Sequence, residues 1–292
     1  MLPTLGDRKL ADIDLADLLE LKESLLGKGC SGSTIRNSFV PLQAIYRRAR
    51  RNGTVPVNPA VDLDLPTSGR RDRAATPAQA AELLDVLPTF EAAVHASAFY
   101  AGLRRGELRG LRVRDVDFAA ATIRVEQSWD IKEGPIAPKS RAGVRTVPML
   151  EVLRPYLVPL ADLRNDRDGL FFGTSAGGAF EPRNIDRKAR RALKAENDSR
   201  VIATEEAGAE AVIVEWFGLH EARHSFSTYL DHAGVSETRA DRYMGHSAPG
   251  VAGRYRHLLP GQLAEDAKRV DAYLAGHTSG KIAALARSAE VA

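Results

Sequence analysis

The densest cluster of chemistry-bearing residues is His220-Glu221-Ala222-Arg223-His224. It reads in two ways. Histidines at i and i+4 share a helix face and can chelate Zn²⁺ with the intervening glutamate as base, the H-E-x-x-H pattern of a metalloprotease. That reading needs a third ligand downstream, from Asp231, His232 or Glu237, and the extended form with a further Gly and His is absent. In the second reading His220 and Arg223, at i and i+3, point together at a phosphate. Other parts of the chain then supply what phosphate chemistry needs. Arg104 and Glu107 lie in Gly102-Leu103-Arg104-Arg105-Gly106-Glu107, just after a helix break. Lys139 lies in Pro138-Lys139-Ser140-Arg141-Ala142-Gly143, His246 in Met244-Gly245-His246-Ser247, and Tyr255 in Arg254-Tyr255-Arg256-His257. Arg105 and His224 read as structural neighbours of these residues, and Tyr229 and Tyr243 as core tyrosines.

These residues need elements to hold them. Asp14 caps a helix with Leu15, Leu18, Leu19, Leu25 and Leu26 at helical spacing, ending near Gly27 and Gly29. Ser33 starts a second, carrying Ile35, Val40, Leu42, Ile45 and Tyr46, with Pro41 expected to kink it. Pro66 to Thr76 encloses Ser68-Gly69-Arg70-Arg71-Asp72-Arg73, polar and basic, which marks a domain boundary. Thr76-Pro77 restarts helix with a cap and an N-terminal proline, and helices run to about Val113 with a break at Gly102. Between Thr122 and Met149 the pattern alternates, predicting a small antiparallel sheet whose last turn contains Lys139 to Gly143. Helices return over 182–193, 220–232, 236–244 and 261–274, while 196–215 follow no regular pattern. The fold class is therefore mainly α with a small antiparallel β-sheet, in two domains.

Charge is distributed unevenly. Lys and Arg number 41 against 38 Asp and Glu, a net of only +3. Yet no acidic residue occurs between Ser24 and Val61, where Lys28, Arg36, Arg47, Arg48, Arg50 and Arg51 lie. Arg47, Arg50 and Arg51 share the far face of the second helix. A second run is Arg183, Arg187, Lys188, Arg190, Arg191 and Lys194. Such stripes on a balanced chain are the footprint of nucleic-acid binding, and arginine suits bidentate phosphate contact.

In order and spacing, the set resembles the tyrosine recombinase (phage integrase) family over almost the whole chain. The resemblance implies that Tyr255 is the nucleophile and forms a 3′-phosphotyrosyl intermediate on duplex DNA. Arg104 and Arg223 would clamp the non-bridging oxygens, and Lys139 would protonate the departing oxygen. His220 would assist Tyr255 or hold the phosphate, His246 would donate to the other oxygen, and Glu107 would brace Arg104. Residues 1–66 would form a helical core-binding domain, shortened at its N-terminus, 67–75 a basic linker and 76–276 the catalytic domain. Residues 277–292 would be a tail suited to docking in trans. The DNA contacts expected are Arg36, Arg47, Arg50 and Arg51, then Arg183, Arg187, Lys188, Arg190 and Arg191, with the 183–194 helix in the major groove. The family also implies a homotetramer on paired sites, accessory directionality proteins, and no metal or ATP. A catalytically silent DNA-binding relative would share the stripes without forming the adduct.

Apolar runs are short and broken by charge, which argues against a membrane span, and no leader pattern opens the chain. A lone Cys30 excludes an internal disulfide. These features predict a cytoplasmic protein.

Overall fold

The computed structural model describes residues 2–67, 73–138, 141–206, 209–246 and 261–275. The chain divides into two compact units, Met1–Arg71 and Asp72–Ala292. Its architecture is mainly helical with small antiparallel sheets. Among the described residues no helix is long and apolar enough to cross a membrane.

The first unit holds α1 (Leu2–Leu5), α2 (Leu15–Gly27) and α3 (Gly32–Arg51). Asp14 caps α2 by accepting from the Asp17 amide at 3.0 Å, as its sequence position predicts. The cap of α3 is Ser31 rather than Ser33: Ser31 Oγ accepts from the Thr34 amide. α3 continues through Pro41. The buried stripe is Ile35, Phe39, Leu42, Tyr46 and Ala49, closed by a Tyr46 hydroxyl donating to the Leu10 carbonyl at 2.8 Å. Val40 and Ile45, expected inside, are exposed, as are Leu15, Leu19 and Leu26 of α2, where Leu18 and Leu21 carry the core. Both helices have more apolar residues than one face can bury, so packing chose the stripe.

The second unit opens with α4 (Pro77–Val86), capped by Thr76 in a capping box with Gln79. α5 (Thr89–Ala101) is buried on all sides from Glu91 to Ala101 and forms the centre of the core. α6 (Arg105–Gly110) follows at once. The strands are β1 (Val116–Asp117), β2 (Thr122–Val125), β3 (Ser128–Asp130), β4 (Gly134–Ile136) and β5 (Arg145–Pro148). They make two separate ladders: an antiparallel sheet in the order β1-β2-β5, with Val125 opposite Arg145, and a β3–β4 ribbon. The turn of that ribbon is at residues 131–133, where Asp130 Oδ1 accepts from the Lys132 and Glu133 amides. β4 and β5, on either side of 139–143 in sequence, pair with β3 and β2 and not with each other, so they do not form the hairpin that alternation predicts. Lys139 itself lies outside the described residues.

Then come α7 (Arg154–Ala161), α8 (Pro182–Glu206), α9 (Leu219–His232), α10 (Glu237–Met244) and α11 (Gln262–Leu274). α8 extends well past Leu193, into the stretch that showed no regular pattern. Its second half is polar nearly all round and is held by ion pairs: Arg200 bonds both Glu196, one turn back, and Glu82 of α4. The chain then returns along α8, where the Asn197 side chain exchanges two hydrogen bonds with the Val214 backbone, at 2.8 and 3.0 Å. Arg73 stacks on Phe217 and pairs with Glu215 and Glu221, and the Tyr229 hydroxyl donates to the Ala75 carbonyl at 2.9 Å.

Candidate active site

α5 ends at Gly102, whose φ of 62° lets the chain turn sharply into α6. That turn places Arg104 at the start of α6 and Glu107 three residues on, facing it. Glu107 Oε2 accepts from the Arg104 amide at 2.8 Å, and Oε1 accepts from Arg104 Nη1 at 2.9 Å. The same carboxylate is gripped by Arg145 of β5, Nη1 to Oε1 and Nη2 to Oε2, each at 2.8 Å. Arg145 is buried and also donates from Nε to the Tyr243 carbonyl at 2.6 Å. Burial opposes the charge on Glu107, but the hydrogen bonds and charge of Arg145, with those of Arg104, outweigh it and hold the pKa at about 2.

Arg223, in the second turn of α9, is buried beside them. Its Nη1 donates to the Gly102 carbonyl and its Nη2 to the Met244 carbonyl, so one guanidinium ties the end of α5 to the end of α10. Burial, then the like charge of Arg104, push its pKa down, with Glu107 acting the other way. Arg104 Nη2 reaches the Gly245 carbonyl at 3.0 Å. Next along the chain, His246 Nδ1 lies 3.0 Å from Asp241 Oδ1, while Nε2 is 3.5 Å from Arg223 Nη2. The Asp241 carboxylate orients the His246 ring through Nδ1 and leaves Nε2 turned toward Arg223. Three guanidinium groups therefore surround one carboxylate, and the excess positive charge is anchored on backbone carbonyls, an arrangement suited to a multiply oxygenated anion.

A cavity of about 600 Å³ opens onto this cluster, lined by Arg104, Arg105, His220, Arg223, Arg190 and Trp216 among others. The structure thus brings Arg104, Glu107, Arg223 and His246 together and sets His220 on the wall of the same cavity. Arg105, read as a neighbour, faces the cavity too. Tyr255 lies outside the described residues, as does Lys139. Tyr229 and Tyr243 are buried, and Tyr243 donates to Asp266 at 2.8 Å. Burial pushes both phenols far above their ordinary pKa, so neither is placed as a nucleophile.

Sequence reasoning missed Arg145, Asp241 and Trp216. A signal for Arg145 existed: alternation in β5 puts it on the same face as buried Val147, and a core-facing arginine demands a buried acid. Trp216 carries Arg190 over its ring at 4.4 Å from the centroid, and buried His95 packs edge-on at 5.4 Å. Arg183, Arg187, Lys188, Arg190 and Arg191 are exposed along α8, whose buried stripe is Ile185, Ala189 and Leu193. In the first unit Arg47, Arg50 and Arg51 line a separate cleft of about 440 Å³. Arg36 instead donates to the Leu65 and Pro66 carbonyls, at 3.4 and 3.1 Å, and ties down the departing chain.

The metalloprotease reading fails on Glu221. It accepts from the Gly218 amide at 2.9 Å and pairs with Arg73, so it caps α9 and is not free to act as a base between the histidines. Among the described residues no group of three or more His, Cys, Asp or Glu is placed to hold a metal.

Comparison with known proteins adds a lineage. The model of the phage integrase family matches residues 74–261. The tyrosine recombinase XerC of Alcanivorax borkumensis is 26% identical over 263 residues, covering 87% of this chain and 78% of that protein. XerC of Pelobacter propionicus is 26% identical over 269 residues, 89% and 80% of the two chains. Among solved structures, the Tn1549 transposon integrase in complex with circular intermediate DNA superposes with a TM-score of 0.67 at 24% identity, over 89% of this chain and 86% of that one. A lambda integrase dimer bound to a COC′ core site gives 0.57 at 16% identity, over 88% and 86%. At these identities the two structures speak for the fold.

Proposed function

The chain belongs to the phage integrase family, and on that premise we propose that it is a site-specific recombinase that cleaves and rejoins duplex DNA through a phosphotyrosine on Tyr255. The observation that carries the reading is the cluster of Arg104, Arg145 and Arg223 around the single carboxylate of Glu107, with two of the three guanidinium groups on the cavity wall.

Tyr255 attacks the phosphorus, the P–O5′ bond breaks, and a 3′-phosphotyrosyl ester remains. Negative charge grows on the two non-bridging oxygens in the transition state. Arg104 and Arg223, already fixed on carbonyls and Glu107, offer N–H donors there with little reorganisation. His246, oriented by Asp241, faces the same oxygens. The 5′-oxygen takes its proton from Lys139, and His220 assists the phenol of Tyr255 or holds the phosphate. Phosphate ester is exchanged for phosphate ester, so ATP has no role, and the arginines supply the charge a metal would otherwise provide. Residues 1–66 act as the core-binding domain, 76–276 as the catalytic domain and 277–292 as a docking tail. The exposed cations of α3 and α8 hold the DNA backbone, with α8 in the major groove. The relatives named as bound to core-site and circular-intermediate DNA support duplex DNA as substrate, and a lambda integrase tetramer on a Holliday junction supports a tetramer as the working assembly.

Covalent trapping tests this. Nicked duplexes drawn from a genomic library should yield SDS-resistant adducts with the wild type and none with Tyr255→Phe. An adduct that persists in Tyr255→Phe assigns the wrong tyrosine. A folded wild type that shifts DNA but forms no adduct is a silent relative, and the enzyme reading falls.

A further inference from the structure

Arg145 does more than neutralise Glu107. Its guanidinium donates in three directions: Nη1 and Nη2 to the two oxygens of Glu107, each at 2.8 Å, Nε to the Tyr243 carbonyl at 2.6 Å, and Nη1 again to the Gly143 carbonyl at 3.3 Å. One buried side chain thus joins the first turn of α6, the last turn of α10 and the chain that enters β5. That entering chain is closely packed at two points. A Cβ at Gly143 would fall 2.4 Å from Pro138 Cβ, so Pro138 and Gly143 are packed against each other across the segment they bracket. A Cβ at Gly245 would fall 3.1 Å from the Ala142 carbonyl oxygen and 3.1 Å from Arg104 Nη1. Residues 142–143 therefore lie against the arginine cluster, and the residue that follows Pro138 in the sequence is Lys139.

We propose that Arg145 is a positioning residue for the leaving group: by holding residues 142–143 on the Glu107 cluster it sets where the segment bracketed by Pro138 and Gly143, and with it the ammonium of Lys139, meets the 5′-oxygen. The role asks for arginine, because a planar fork of donors reaches acceptors in three directions and a lysine ammonium does not. In the step it serves, the Tyr255 oxygen bonds to phosphorus, the P–O5′ bond breaks, and a proton of Lys139 passes to the 5′-oxygen. An alkoxide leaves poorly without that proton, whereas a thiolate, whose parent thiol has a pKa of about 8.5 as in cysteine, leaves without one. The anchoring half stands on geometry alone; the leaving-group half rests on the recombinase reading above.

The test uses full-length Arg145→Lys and Gly143→Ala, each checked for native circular dichroism; the second crowds Pro138 and keeps the Arg145 side chain. Trypsin reads the anchoring. Cleavage of the native protein after Lys139 and Arg141, followed by mass spectrometry, should be at least about fivefold faster in both variants relative to cleavage elsewhere in the same chain. Unchanged relative rates overturn the anchoring. Single-turnover adduct formation reads the chemistry, on the site recovered by trapping, with either oxygen or sulfur bridging at the scissile 5′ position. On oxygen both variants should fall about 10- to 10²-fold below wild type. On sulfur both should regain most of that loss, as Lys139→Ala does, whereas Arg223→Lys, which alters the clamp on the non-bridging oxygens, should regain none. Variants that lag equally on both substrates overturn the leaving-group role and leave Arg145 a support of Glu107 alone. A wild type that forms no adduct on either substrate removes the recombinase reading and the leaving-group role with it, while the trypsin result stands apart.

Discussion

Replacing Glu107 with glutamine removes the charge on which Arg104 and Arg145 converge. The carboxyl is buried, and its pKa falls from an ordinary 4.5 to about 2, so folding favours the ionised form over the neutral one by about 3 kcal/mol more than the unfolded chain does. Glu107→Gln mimics the neutral form and should cost about that much, within the range for breaking a buried ion pair. For a unit the size of Asp72–Ala292, melting falls by roughly 2–4 °C per kcal/mol, which gives a drop of about 6–12 °C at pH 7. The pH dependence has a definite sign. A depressed carboxylate stabilises fully above its unfolded pKa and loses that contribution as pH falls through the folded one. The gap between wild type and variant should therefore be constant from pH 7 to about 5 and close between about pH 4.5 and 2. Thermal and urea unfolding of both proteins across that range measures it. A gap below about 2 °C at pH 7, or one unchanged at pH 3, would refute the argument that the arginine–carboxylate network sets this energy.

Gly245 has a φ of 63°, and a Cβ there would sit 2.9 Å from Arg145 Nη1 and 3.1 Å from Arg104 Nη1, so Gly245→Ala should reduce adduct formation more than DNA binding, as read by trapping beside gel shift. Arg223→Lys keeps the charge but cannot span the Gly102 and Met244 carbonyls together; a cleavage loss of about 10²-fold or more with duplex affinity within a few-fold is expected from single-turnover kinetics. Arg190→Ala should lower the slope of log affinity against log salt by about 1, and Trp216→Ala should weaken binding in the same direction by freeing Arg190 from its ring; fluorescence anisotropy at several salt concentrations reads both.

Relationships within one helical turn were legible before any fold was known. The spacing of His220 and Arg223, of Arg104 and Glu107, and the caps at Asp14 and Thr76 follow from helix geometry, which acts over three or four residues. The order of these boxes along the chain carried the family resemblance, and the alternation over 122–149 carried the existence of a sheet. Tertiary structure decided the rest. Which leucines of α2 and which residues of α3 face inward depended on their partners, because both helices offered apolar side chains on more than one face. The extension of α8 to Glu206 depended on Glu82, over a hundred residues away in sequence. Arg145 meets Glu107 across 38 residues, and Arg223 reaches Gly102 across 121. Periodicity assigns a face to a side chain but does not say which buried charge or carbonyl will meet it. That choice is made when the core closes and every enclosed donor must find an acceptor.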